Sequence, residues 1–300
     1  MTITKSLNTE FEDVLDLLNS SMEYDKFTTS LLKEKIFDDP DYDTSLNLTA
    51  KENDVKAIGF LSGVIRQRDK EKMAYIKLFA VSPHHRRKGI ATALYKAFEN
   101  EIKSRGVKKI RLFESYPNYY MPGLDPFYTE AICFFERNKF KKIGDCSNLS
   151  AELQFQNFDT SKEELELVKE GFEIVRAKDT DFENMITWTE KNFRGWIGEV
   201  KSAFANDEIS IHLAKLNSEI IGFSAYETNN KGIGWFGPMG TTEAARGKGI
   251  GGILLKRCLA DMKNIGFKTA IIPWVGPIPF YMYFCGSKVN RVFWRYEKTL

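Results

Sequence analysis

The chain has 300 residues, about twice a typical domain, and is 43% hydrophobic and 28% charged, a globular composition. Its net charge of +2 excludes a strong general attraction to nucleic acid or to anionic membrane. No apolar run approaches the roughly 20 residues needed to span a bilayer, and the acidic amphipathic stretch after Met1-Thr2-Ile3-Thr4-Lys5 does not read as a signal peptide.

In chain order, residues 12–18 and 30–36 carry helical periodicity. Residues 46–51 and 55–66 alternate as a hairpin turned at Glu52-Asn53-Asp54, and 75–81 reads as a strand. From Ile90, apolar residues at Leu94, Phe98 and Ile102 mark one helical face, closed by Gly106. A strand is expected over 109–113, then an aromatic insertion over 115–128 with Tyr116, Tyr119, Tyr120, Phe127 and Tyr128. The charged stretch 159–170 is the expected junction, dividing the chain into domains 1–157 and 158–300. The order then repeats: hairpin 209–226, strand 235–241, helix 250–265 stopped by Gly266, strand 269–275.

The repetition is explicit in the residues. Arg86-Arg87-Lys88-Gly89-Ile90-Ala91 aligns with Arg246-Gly247-Lys248-Gly249-Ile250-Gly251 at an offset of 160, and Gly106 aligns with Gly266. Upstream, Ile58-Gly59-Phe60 aligns with Ile221-Gly222-Phe223 at an offset of 163. A repeat this long is a duplicated domain, not a solenoid unit.

Each copy has a strand, then Arg-x-x-Gly-x-(Gly/Ala), then an amphipathic helix. A helix start carries unpaired N–H groups and a partial positive charge. Glycines let the backbone approach an anion closely, and flanking cations add charge-assisted bonds. The unit Arg246, Gly247, Lys248, Gly249, Ile250, Gly251, Gly252 therefore suits a pyrophosphate. It is not a Walker loop, because Gly-Ile follows Gly-Lys where Ser or Thr should stand for magnesium, and it lacks G-x-G-x-x-G.

These residues resemble the GCN5-related N-acetyltransferases, and the Arg-Gly-Lys-Gly-Ile-Gly of 246–251 is highly typical of them. The resemblance covers nearly the whole chain as two tandem copies. It implies an α/β (α+β) fold of two mixed-sheet domains, with acetyl-CoA wedged where two central strands splay apart. Its pyrophosphate would sit in the loop. The backbone of Met239, Gly240 and Thr241 would hold the pantetheine arm and polarise the thioester carbonyl. In this family a Tyr after the last central strand donates a proton to the departing thiolate. Phe280-Tyr281-Met282-Tyr283-Phe284-Cys285-Gly286 places Tyr281 there, with Tyr283 a weaker choice and a purely packing role for Tyr281 the alternative. The first copy has Phe135 at that place, so the resemblance implies a catalytic second domain and an impaired first one.

The acceptor, a small amine, must lose a proton. Glu199 and Glu227 are the candidate bases, although each reads more simply as a solvated surface charge. All five tryptophans lie in the second half. Trp188 and Trp196 fall on the side the family uses for the acceptor, and Trp274 beside the expected cofactor cleft. The Tyr-Met-Pro-Gly-x-Asp of 120–125 and the Trp-Val-Gly-Pro-x-x-Phe-Tyr of 274–281 are similar to bacterial two-domain glucosamine or glucosaminide N-acetyltransferases, which implies an amino-sugar acceptor. The rival readings are a non-catalytic acyl-CoA sensor and a peptide or protein N-acetyltransferase. Cys133, Cys146, Cys258 and Cys285 form no C-x-x-C pair, and only His84, His85 and His212 accompany them. No metal site is expected, and unpaired thiols fit a cytoplasmic protein.

Overall fold

The computed structural model describes residues 1–5, 7–53, 56–68 and 71–300. The chain divides into two compact units, residues 1–146 with 293–300, and residues 147–292.

The first unit contains β1 (Thr2–Thr4), α1 (Leu7–Ser21), α2 (Thr29–Ile36), β2 (Asn47–Glu52), β3 (Lys56–Arg68), β4 (Glu71–Val81), α3 (Ile90–Ser104), β5 (Lys109–Leu112) and α4 (Thr129–Arg137). It also holds the start of β6 (Lys141–Glu152) and the end of the last strand, β12 (Lys288–Thr299). Its strands run β1-β2-β3-β4-β5-β12. The expected hairpin is β2 against β3; Asp54 of its expected turn and Val55, the expected start of its second strand, lie outside the described residues. Helix α2 is started by Thr28, whose side chain accepts the Leu31 N–H at 3.1 Å. Leu94, Phe98 and Ile102 of α3 are fully buried, as their spacing requires.

Strands β4 and β5 are parallel, pairing Met73 to Ile76 with Lys109 to Leu112. Against β3, Ser62 faces Leu78 and Gly63 faces Ile76, so Lys77 is an extra, bulged residue. Its ammonium is buried and donates to Asp39, to the Lys35 carbonyl and to Asn118. Arg66 grips the same Asp39 with two nitrogens at 2.6 and 2.7 Å and donates to the Ser115 carbonyl at 2.9 Å.

The second unit contains the end of β6, α5 (Ser161–Lys169), β7 (Phe172–Arg176), α6 (Phe182–Phe193), α7 (Ile197–Phe204), β8 (Ile211–Leu216), β9 (Glu219–Tyr226), β10 (Phe236–Thr241), α8 (Ile250–Asn264), β11 (Thr269–Ile272), α9 (Ile278–Cys285) and the start of β12. Strands β10-β9-β8-β7 form an antiparallel sheet. Residues of α6 and α7 pack on one face, around Phe223, Leu213 and Val200. The start of α8 packs on the other, through Ile250, Ile253 and Leu254 against Ala214 and Ile221.

The units differ from the sequence-based division at 157/158. Residues 297–299 of β12 pair with 109–111 of β5, and residues 269–272 of β11 pair with 149–152 of β6. The last strand of the chain thus completes the first unit, and a strand begun before residue 150 serves the second. The expected junction 159–170 is α5, whose Leu167 joins the core with Phe172 and Ile250. The strand expected over 269–275 stops at Ile272, because Pro273 offers no N–H and Trp274 sits at φ 44°.

Burial pulls the Lys77 ammonium down to about 7, against the attraction of Asp39. Asp39 is already neutralised by Arg66, so it cannot hold Lys77 fully charged. The unfolded chain keeps the Lys77 proton up to about pH 10.5, while the folded chain releases it near 7. The unfolded state therefore binds more protons between those limits, and stability rises with pH across that window. Lys77→Met should flatten this rise, seen as equal urea midpoints at pH 7.5 and 9.5 for the transition of the first unit.

Candidate active site

Among the described residues a single isolated parallel bridge, Trp235 to Ile271, joins the approach of β10 to β11; there Ile271 N–H donates to the Gly234 carbonyl at 2.7 Å. Past it, among the described residues, no strand pairs with that edge of β10. The other edge is taken by β9, where Met239, Gly240 and Thr241 face Ser224, Phe223 and Gly222. Thr242 N–H donates to the Ile221 carbonyl at 2.8 Å. Strand alternation then turns the amides of Thr242 and Gly240 toward β9 and those of Met239 and Thr241 toward the open edge. That edge offers a rigid row of donors and acceptors to an extended ligand.

β10 leads through a short 3-10 turn (Glu243–Ala245) into the head of α8. Gly247 at φ 73° and Gly249 at φ 75° take the left-handed conformation that glycine adopts at no steric cost. A Cβ built at either would meet nothing within 4 Å, so the space above the turn is open. Arg246 and Lys248 are exposed and paired with Glu243 at 3.4 Å and with Glu170. Exposed pairs of this kind contribute about 0–1 kcal/mol, so both cations are readily exchanged onto an anion. The residues present therefore fit a pyrophosphate, held by helix N–H groups and two cations. Ile250 and Gly252, expected in this set, are built into the packing. Ile250 is fully buried, and a Cβ on Gly252 would fall 2.1 Å from Phe284 of α9.

Tyr281 lies on α9, 9% exposed, in a cluster with Phe236, Cys258, Leu259 and Ile272, and Met239 packs against that cluster. Its ring is edge-on to Phe236 at 6.1 Å and to Phe280 at 5.1 Å. No hydrogen bond contributes to its titration, and burial pushes its pKa up to about 12. The phenol therefore stays protonated across the neutral range. Tyr283, the weaker choice, is 81% exposed.

On the opposite face of β10, Phe193 and Trp196 stack at 4.9 Å and 17° against Gly240. One turn further along, Glu199 is 8% exposed on α7, which overturns its reading as a solvated charge. Helix α7 turns it inward with Val200 and Ala203. Both oxygens of Glu227 accept backbone N–H groups, one from Gly232 and one from Trp235 at 2.8 Å, so it shapes the loop before β10. Phe193 was missed in the sequence. The signal that could have found it is Gly240, a glycine inside a strand, which marks close approach of another group.

The first unit repeats the turn with different surroundings. Gly89 stands at φ 82°, and Arg87 takes φ 64° where the second unit has Gly247, at a cost of about 1–2 kcal/mol for a residue with a Cβ. Where β4 parts from β5, Phe79 packs on Phe134 at 5.5 Å and on the fully buried Phe135 at 5.7 Å. Most of the aromatic insertion is buried too, Tyr119 and Tyr120 included, while Phe127 is 70% exposed.

The cysteines are free, and among the described residues no group of three or more His, Cys, Asp or Glu could hold a metal ion. Among those residues no helix is long and apolar enough to cross a membrane.

A glycine turn at a helix head occurs in both units, and in the second it follows an open strand edge, an arrangement suited to a phosphorylated, extended ligand. The profile of the Acetyltransferase (GNAT) family matches residues 11–123 and 171–279, well over half of the chain, and the chain belongs to that family. No match was found among curated proteins. Among solved structures, it is similar to the glucosamine N-acetyltransferase region of a fungal multi-domain GH3 β-N-acetylglucosaminidase, at 19% identity and TM-score 0.83. That match covers 99% of this chain, which spans only 38% of the fungal one. It is also similar to a GCN5-related N-acetyltransferase from Sphaerobacter thermophilus (16% identity, TM-score 0.70, 99% and 95% of the two chains). A third is a tandem GNAT protein from the clavulanic acid biosynthesis pathway (13%, TM-score 0.67, 99% and 98%). At these identities the likeness concerns the fold.

A carboxylate placed in either turn tests the two copies separately. Gly249→Asp should weaken binding of coenzyme A at least about tenfold in calorimetry, since it sets a negative charge where phosphate would sit. Gly89→Asp should leave that binding within about twofold.

Proposed function

We propose that the chain is an acetyl-CoA-dependent N-acetyltransferase that acts in the cytoplasm and moves an acetyl group directly to a primary amine, with an amino sugar of the glucosamine class as acceptor. The second unit is the catalytic one and the first is structural. The observation that carries this reading is the conjunction, in one unit, of the open β10 edge, the glycine turn and the protonated hydroxyl of Tyr281. The amino-sugar acceptor is supported by the fungal neighbour and by the half-exposed Phe193–Trp196 stack, a surface suited to a pyranose face.

Acetyl-CoA brings an activated thioester, whose carbonyl carbon the neutral amine attacks. The turn at 246–249 holds the diphosphate, and the outward amides of Met239 and Thr241 hold the pantetheine arm and the carbonyl oxygen. Each well-aimed donor is worth about 3 kcal/mol. Glu199 receives the proton of the incoming ammonium, directly or through water. Tyr281 faces the sulfur that leaves. A phenol at about 12 gives its proton to a thiolate of ordinary pKa near 8.5 only uphill, so it acts first as a hydrogen-bond donor to charge developing on sulfur.

Thiol release from acetyl-CoA, measured against glucosamine, chitosan oligomers, aminoglycosides and polyamines, tests the reading. Turnover with an amino sugar is expected; binding without thiol release on any amine would leave a sensor instead. Tyr281→Phe should lower kcat about 10²–10³-fold with the KM for acetyl-CoA changed less than about threefold. Because the Tyr281 pKa lies near 12, the wild-type rate should show no alkaline loss from this group below about pH 10, and an inflection near 8 that vanishes in Tyr281→Phe would assign the phenol differently.

A further inference from the structure

The side chains of β10 alternate between two faces. Met239 joins the Tyr281 side, and Gly240 faces the other way, toward α6 and α7. A Cβ added to Gly240 would meet Phe193 Cε2 and Cζ at 2.8 Å and Trp196 Cζ3 at 2.9 Å. The two rings therefore rest directly on the strand backbone, in the space a side chain at 240 would otherwise fill.

They are held there firmly. Phe193 and Trp196 stack nearly parallel, and both lean on Phe223 of β9, at 6.5 and 6.1 Å, with Trp188 behind Phe193 at 5.5 Å. Phe223 itself is fully buried, so the wall has a rigid backing. Its outer part is only half buried, as a surface that meets a ligand must be and a core cluster need not be.

From this geometry we infer that the Phe193–Trp196 stack limits the length of the acyl chain the site accepts, admitting two carbons and excluding long chains. The inference rests on the reading that the thioester lies along Met239, Gly240 and Thr241. An acyl group leaving that backbone on the Gly240 side runs at once into two aromatic rings backed by Phe223 and Trp188. A methyl fits beside them, whereas a six-carbon chain must displace a ring from a stack already braced on three sides. Removing the Trp196 indole opens a channel lined by Phe223 and Phe193 that gives the added methylenes apolar cover.

Calorimetric titration of the full chain with coenzyme A, acetyl-CoA and hexanoyl-CoA tests this without any acceptor. In the wild type, acetyl-CoA should bind at least as tightly as free coenzyme A, and hexanoyl-CoA at least about tenfold more weakly. Each methylene given apolar cover is worth about fourfold in affinity, so Trp196→Ala should shift the ratio toward hexanoyl-CoA by at least about tenfold. Affinity for free coenzyme A, within about threefold of wild type, is the check that the variant is folded. Phe193→Leu, a milder change, should shift the ratio in the same direction and serves if Trp196→Ala fails that check. An unchanged ratio in a folded variant, or equal wild-type affinity for the two acyl chains, overturns the inference and leaves the acetyltransferase reading intact. Failure of the wild type to bind coenzyme A at all removes that reading, and the inference with it.

Discussion

A strand with one unpaired edge inside a folded unit has polar backbone groups that must find partners. In the second unit that edge belongs to β10, and the rest of the site is arranged around it. The parallel pairing with β11 is limited to a single bridge at Trp235, so the gap begins where Met239 turns its amide outward. The same strand delivers the chain to the head of α8, which places the positive end of a helix at the far end of the row of donors. A ligand that is extended, amide-bearing and phosphorylated at one end matches this polarity.

The first unit shows what the same architecture becomes when that gap is closed with side chains. Phe79, Phe134 and Phe135 fill the place where β4 and β5 part, and the bulged Lys77 is drawn into a buried charge network with Asp39 and Arg66. Aromatic packing fills that place, and the Lys77 ammonium, by donating to the Lys35 carbonyl, ties α2 to the sheet.

Much of this was legible in the sequence because it is locally encoded. The periodicity of Leu94, Phe98 and Ile102, the glycine turns and the position of Tyr281 relative to the repeat all follow from short-range pattern. The strand exchange was not legible. Residues 293–299 fall within the expected second domain, and nothing in their side chains says which sheet edge they will join, since backbone pairing carries little side-chain code. The depth of Glu199 was hidden for a related reason. A carboxylate in an ordinary helical pattern looks solvated until the packing of α7 is known. Lys77 and Asp39 stand 38 residues apart, and a buried pair so separated leaves no trace in spacing.

The exchanged strand also sets a timetable. As the polypeptide emerges from the ribosome, β5 is made early, yet its neighbour in β12 comes near residue 298. Throughout synthesis of everything between, the first half carries a bare sheet margin open to mispairing or to chaperones. Completion of that sheet is thus tied to synthesis of the last strand.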